Sequence, residues 1–93
     1  MDISTLIEAL KRRFGVGTNP AVRLELYRRV ASLVENDDTR RAERIVATVI
    51  ADSAGKDDPG RYFASVVVRR LEERGFALRP QLDLAQAFGY NGE

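Results

Sequence analysis

The residues with the clearest capacity for chemistry in this 93-residue chain are its arginines. Thirteen of the fifteen cationic side chains are arginine, and basic pairs stand at residues 12–13, 28–29, 40–41 and 69–70. A guanidinium group is a planar fork that pairs with a carboxylate or a phosphate through two hydrogen bonds, and it also stacks on rings. The pattern therefore leaves two alternatives, a phosphate-binding surface or a solvated helix surface with scattered ion pairs.

Two stretches of the chain are locally basic, although its net charge is only +1. Segment 11–29 sets six cations against Glu25 for a balance of +5, and segment 61–79 sets five arginines against Glu72 and Glu73 for a balance of +3. If these faces adjoin, they form a positive stripe that attracts nucleic-acid backbones in a salt-dependent way. The residues predicted to contact nucleic acid are Lys11, Arg12, Arg13, Arg28, Arg29, Arg61, Tyr62 (by stacking on a base), Arg69, Arg70, Arg74 and Arg79.

Most kinds of catalytic site are excluded by composition, because the chain has neither histidine nor cysteine. Disulfides and zinc sites built from thiolates or imidazoles are excluded, and so is the usual histidine-assisted nucleophile. The acidic pairs at 37–38 and 57–58 stand where helix caps are expected, which favours capping over a hard-cation site. The glycine patterns at 15–17 and 53–56 lack the remaining residues of phosphate-binding motifs. We expect a non-enzymatic protein with no metal and no cofactor.

The length and hydropathy of the chain indicate one globular domain. Its apolar content of 44% is ordinary for a globular protein. No uninterrupted apolar run exceeds three residues, as in the three valines at 66–68, whereas a membrane span needs about 20 apolar residues. In segment 2–14 the basic residues follow the apolar ones, which is the reverse of a secretory signal. We therefore expect a cytoplasmic protein without a membrane partner.

Hydrophobic periodicity predicts an all-α fold, since apolar residues recur three and four positions apart and no β-type alternation is found. Pro20 and Pro59 suit the first position of a helix, and Gly15 and Gly75 are suited to ending one. Phe76 is expected to fold back on the helix that ends at Gly75. The four predicted helices span 3–14, 20–35, 39–54 and 59–74.

These helices are predicted to form a compact bundle or orthogonal array in a single domain over 1–93. The C-terminal tail holds a candidate short fifth helix over 80–88, followed by a frayed end over 88–93. The second and fourth helices carry wide apolar arcs. Since a small bundle covers such arcs with difficulty, a homodimer is an alternative.

The spacing of Phe63, Val67–Val68, Leu71, Gly75 and Phe76 resembles one known pattern. The C-terminal helical domain of DnaD-type primosome proteins ends with a helix of the form Tyr-x-x-x-Ile-Leu-x-x-Trp-x-x-x-Gly-Ile. The resemblance covers residues 42–76 and departs at two signature positions, where Phe63 replaces the tyrosine and Leu71 the tryptophan. It implies a helical module that binds DNA, single-stranded DNA above all, and touches replication partners.

Two hypotheses for function follow from the sequence. The first is a small helical module that binds DNA with little sequence specificity, mostly through backbone contacts, together with a replication-type protein partner. The second is a protein-interaction or self-assembling subunit with no nucleic-acid role, in agreement with the near-zero net charge and the wide apolar arcs. Light scattering and DNA binding at two salt concentrations would distinguish them.

Overall fold

The computed structural model describes residues 2–76, and in that range the chain forms four α-helices and no strand. The helices are α1 (Ile3–Phe14), α2 (Pro20–Asn36), α3 (Arg41–Ser53) and α4 (Pro59–Glu73). The all-α prediction is confirmed, and each predicted boundary lies within two residues of the observed one. The candidate fifth helix, the frayed end and Arg79 lie outside the described residues.

Three of the four helices begin at a side-chain cap, and the cap of α4 belongs to the acidic pair at 57–58 that was expected to cap a helix. Asp2, Asn19 and Asp58 each accept a hydrogen bond from the backbone N–H three residues later, at 2.7, 3.4 and 3.2 Å. Pro20 and Pro59 follow two of these caps at the first helical position, where no N–H donor is needed. The starts of α1, α2 and α4 are thus determined by local chemistry.

The start of α3 differs from the prediction by two residues. Arg40 adopts a left-handed backbone with φ +64°, so the regular helix begins only at Arg41. The carboxylate of Asp37 accepts hydrogen bonds from the Thr39 hydroxyl at 2.6 Å and from the Ala42 N–H at 2.7 Å. These bonds hold the pKa of Asp37 below its usual value, the Thr39 hydroxyl contributing most. Asp37 therefore caps α3 across an intervening turn.

The helices pair as two hairpins, α1 with α2 and α3 with α4, which also touch through α1–α4 and α2–α3 contacts. Phe14 at the end of α1 stacks on Phe63 near the start of α4, with 4.8 Å between ring centroids. Tyr27 of α2 is fully buried beside them, and its hydroxyl donates to the carbonyl of Gly15 at 2.7 Å. The core comprises Leu6, Leu10, Leu26, Tyr27, Val30, Ala31, Ala42, Val46, Val49, Phe63, Ala64, Val66, Val67, Val68 and Leu71.

Helix α4 contributes more buried residues than any other described helix, seven against four on α2. The sequence predicted wide apolar arcs on both of these helices. The arc of α4 is buried within the chain itself, with Phe63, Val67 and Leu71 fully buried. The uncovered arc that favoured a homodimer is therefore absent from α4 as the structure describes it.

The C-terminal end of α4 closes with the predicted glycine cap. The Phe76 N–H donates to the Leu71 carbonyl and the Gly75 N–H to the Glu72 carbonyl, both at 3.0 Å. Gly75 has φ +92°, a left-handed conformation that glycine adopts without a steric penalty. Phe76 is thereby turned back against the core, next to the start of α3.

Candidate functional site

The predicted cations of α4 do not share one face of that helix. Arg61 and Arg70 are nine residues apart, which is about two and a half helical turns, so their side chains leave opposite sides of α4. Arg61 and Arg69 are both exposed and, being eight residues apart, lie close to one side. Arg70 and Arg74, one turn apart, lie on the side that faces α3.

Several predicted contacts of α1 and α2 already have a carboxylate partner on their own helix. Lys11 Nζ lies 3.4 Å from Glu8 Oε2. Arg28 and Arg29 both hydrogen-bond Glu25, Arg29 through its Nε at 2.8 Å. The bond from Arg28 is the main cause that holds the pKa of Glu25 below its usual value. A phosphate would have to compete with these carboxylates for the same guanidinium groups.

Arg12 and Arg13 are exposed, and neither has a hydrogen-bond or ion-pair partner within residues 2–76. Both lie in the last turn of α1, where a positive charge is favourable to the helix dipole. That end of α1 meets the start of α4 through the Phe14–Phe63 stack. The pair therefore lies at the opposite end of α4 from Arg70 and Arg74.

Tyr62, the predicted stacking residue, is half-buried and packs against the core. The ammonium group of Lys56 lies 4.9 Å from the centroid of its ring. A cation over a ring face is attracted by the electrons of that face. A base that stacked on this side of Tyr62 would have to displace Lys56.

A groove between α3 and α4 brings together two of the predicted cations and two others. Its volume is about 480 Å³ and it opens to solvent. On α3 the lining positions recur three or four residues apart, so they belong to one helix face. Ile45 is half-buried, since it packs against the core and also forms part of this wall. The groove is lined by Arg41, Arg44, Ile45, Thr48, Arg70 and Arg74.

The antiparallel packing of α3 and α4 arranges the four arginines in two facing pairs. The Arg41 guanidinium donates to the Arg74 carbonyl at 3.4 Å, which fixes the first turn of α3 beside the last turn of α4. One turn further along both helices, Arg44 comes level with Arg70. Along the helix axes the pairs are separated by about 4.5 Å on α3 and about 6 Å on α4, at 1.5 Å per residue.

Negative charge compensates only a small part of this groove. The side chains of Arg44 and Arg74 have no hydrogen-bond or ion-pair partner in the described part of the chain. Arg70 Nη2 lies 3.8 Å from Asp52 Oδ2, and these side chains are 38% and 44% exposed. An ion pair with this much exposure to water contributes about 0–1 kcal/mol to stability. The groove is therefore a concave surface of positive charge, suited to an anion.

Arg41 and Arg44 were not among the contacts predicted from sequence. They stand in the first turn of α3, where a positive charge opposes the helix dipole. This unfavourable placement was visible in the sequence and is the signal that could have identified them. Their position opposite Arg70 and Arg74 depends on how α3 packs on α4, which a linear pattern does not specify.

No cluster of three or more potential metal-ligating side chains occurs among residues 2–76. None of the four described helices is both long and apolar enough to cross a membrane. No family model matches the chain, and no curated protein or solved structure matches it either. The chemistry of the arginine groove is thus the basis for assigning a function.

Proposed function

We propose that this domain is a non-enzymatic helical module that binds the phosphate backbone of nucleic acid, DNA in the first place, in the groove between α3 and α4. The observation that carries the proposal is the convergence of Arg41, Arg44, Arg70 and Arg74 on one concave surface. Each guanidinium can donate two hydrogen bonds to one phosphate. Two facing pairs, about one helical turn apart, suit neighbouring phosphates of a strand.

The lining of the groove favours binding with little sequence specificity. Sequence is read by hydrogen bonds to base edges, whereas contacts to phosphate fix position only. Apart from the arginines, the lining residues are Ile45 and Thr48. Ile45 has no polar side-chain atom, and the Thr48 hydroxyl donates to the Arg44 carbonyl at 2.9 Å. We therefore expect similar affinities for oligonucleotides of different sequence.

The proposal also includes a replication-type protein partner, and its support is the resemblance of residues 42–76 to DnaD-type domains. Four of the residues that carry this resemblance, Phe63, Val67, Val68 and Leu71, are buried in the core. They can determine the fold of the segment but cannot contact a partner. Any partner would therefore bind to other, exposed side chains.

Fluorescence anisotropy with labelled single- and double-stranded DNA, at about 50 and 200 mM salt, tests the proposal. Four phosphate contacts correspond to a loss of affinity of about 150-fold for a duplex and about 50-fold for a single strand over this range. The absence of binding at 50 mM salt would overturn the proposal. Light scattering on the same sample would then show whether the chain self-associates, as the alternative hypothesis expects.

A further inference from the structure

One carboxylate, that of Asp52, lies beside the arginine groove next to Arg70. Asp52 lies four residues after Thr48 on α3, on the helix face that carries Arg41, Ile45 and Thr48. Its Oδ2 is 3.8 Å from Arg70 Nη2, beyond the range of a hydrogen bond to a charged nitrogen. Among the four groove arginines, Arg70 is the one whose guanidinium lies within ion-pair distance of a described carboxylate.

We propose that Asp52 sets the affinity of the groove for polyanions by competing for Arg70. This inference rests on the proposed function, since the competing ligand is the phosphate backbone. In the free protein Arg70 is drawn towards Asp52. When a strand occupies the groove, Arg70 turns to a phosphate, and Asp52 loses its partner beside a new negative charge.

The geometry makes this exchange easy. Both side chains are more than one third exposed, so water replaces the lost contacts and little free energy opposes the opening of the pair. The side chains of Arg44 and Arg74 have no such competitor within the described residues. An anion therefore binds first at Arg44 and Arg74, and a strand that continues along the groove towards Arg70 encounters Asp52.

Substituting Asp52→Asn tests the inference, because it removes the competing charge and keeps the size of the side chain. Asp57→Asn is the matched control, since it changes net charge equally at an exposed residue with no hydrogen-bond or ion-pair partner in the described chain. In anisotropy titrations with a labelled oligonucleotide at about 50 mM salt, we expect Asp52→Asn to bind about twofold to fivefold more tightly than wild type. We expect Asp57→Asn to bind like wild type.

A second pair of variants tests whether the gain requires Arg70. In an Arg70→Ala background, Asp52→Asn should produce no more gain than Asp57→Asn does. If Asp52→Asn and Asp57→Asn change affinity equally in the wild-type background, the inference is wrong while the proposed function stands. If the wild-type protein itself binds no DNA at 50 mM salt, the proposed function fails and this inference fails with it.

Discussion

Arg41 lies over the ring of Phe76, with 5.6 Å between its guanidinium carbon and the ring centroid. Arg41 is in the first turn of α3, and Phe76 is the residue folded back by the cap of α4. The same guanidinium also donates to the Arg74 carbonyl at 3.4 Å. Arg41 therefore connects the glycine cap of α4 to the end of the groove that Arg41 and Arg74 line. A substitution that alters the cap should therefore also change the position of Arg41 in the groove.

Removing the two groove arginines that have no partner in the described chain should weaken DNA binding most clearly. We expect Arg44→Ala with Arg74→Ala to lower the salt slope for duplex DNA by about 1.8, from about 3.6, because two phosphate contacts are lost. The measurement is anisotropy across a salt series. Arg28→Ala with Arg29→Ala removes the same charge from side chains that are bound to Glu25, and its slope should stay near that of wild type. Equal losses in both double variants would argue for a diffuse charge effect and against the groove.

Gly75→Ala should destabilise the domain, because residue 75 has φ +92° and a side chain there costs about 1–2 kcal/mol. Gly55→Ala is the matched control, since a Cβ at residue 55 would meet no atom within 4 Å and its φ is not in the left-handed region. We expect the control to change the free energy of unfolding by less than about 0.5 kcal/mol. Urea unfolding followed by circular dichroism measures both. Equal stability of the two variants would mean that the cap of α4 does not require glycine.

Gly60→Ala should also destabilise the domain, although the intrinsic preference of a helix favours alanine by about 0.5–1 kcal/mol. A Cβ at residue 60 would lie 3.1 Å from the Phe14 carbonyl oxygen and 2.9 Å from Arg23 Nη1. The arginine end can move, but the carbonyl belongs to the last turn of α1 and cannot move without separating α1 from α4. Overpacking of this kind typically costs about 1–3 kcal/mol, which exceeds the gain in helix preference. A rise in the melting temperature of Gly60→Ala would contradict this contact.

The free energy of unfolding should decrease at acid pH, because several carboxylates accept hydrogen bonds in the folded state and lose them on protonation. The pKa of Asp37 is lowered, chiefly by the Thr39 hydroxyl, from an ordinary value of 3.8. A lowered folded-state pKa means that the stabilisation is fully present above about pH 4 and is lost as the pH falls through the folded-state pKa. Asp2 and Glu25 act in the same direction.

The contribution of Asp37 can be isolated with Asp37→Asn, whose free energy of unfolding should depend less on pH below about pH 4 than that of wild type. Asp38→Asn is the control, because the Asp38 side chain makes no hydrogen bond or ion pair with other described residues. Urea unfolding at several pH values measures the difference. Identical pH profiles for the two variants would show that the Asp37 cap contributes nothing to acid sensitivity.

The parts of the fold that depend on neighbouring residues could be predicted from sequence. Asp58 caps the helix expected after the acidic pair at 57–58, Pro20 and Pro59 stand at the first positions of α2 and α4, and Gly75 ends α4 in the expected conformation. The ion pair between Lys11 and Glu8 was also within reach of a sequence argument, because residues three positions apart are neighbours on a helix. All of these features are decided within about one turn of the chain.

The candidate site could be predicted only in part. The sequence identified Arg70 and Arg74 but not Arg41 and Arg44, because the groove exists only once α3 packs against α4 in a particular register. The late start of α3 had a similar origin, since the left-handed Arg40 follows a turn that Asp37 holds. The rotation of a helix about its own axis and its register against a neighbour depend on packing of the whole core, and periodicity does not specify them.

The stack between Phe14 and Phe63 also bears on how the chain folds. Each hairpin forms from residues that are close in sequence, and such local contacts form quickly. Phe14 and Phe63 belong to different hairpins and are separated by both α2 and α3. Their contact closes a long loop, whose entropy must be lost before the stack stabilises anything. The Phe14–Phe63 contact therefore closes a longer loop than any other ring contact or hydrogen bond described above, and its cost in loop-closure entropy is correspondingly larger.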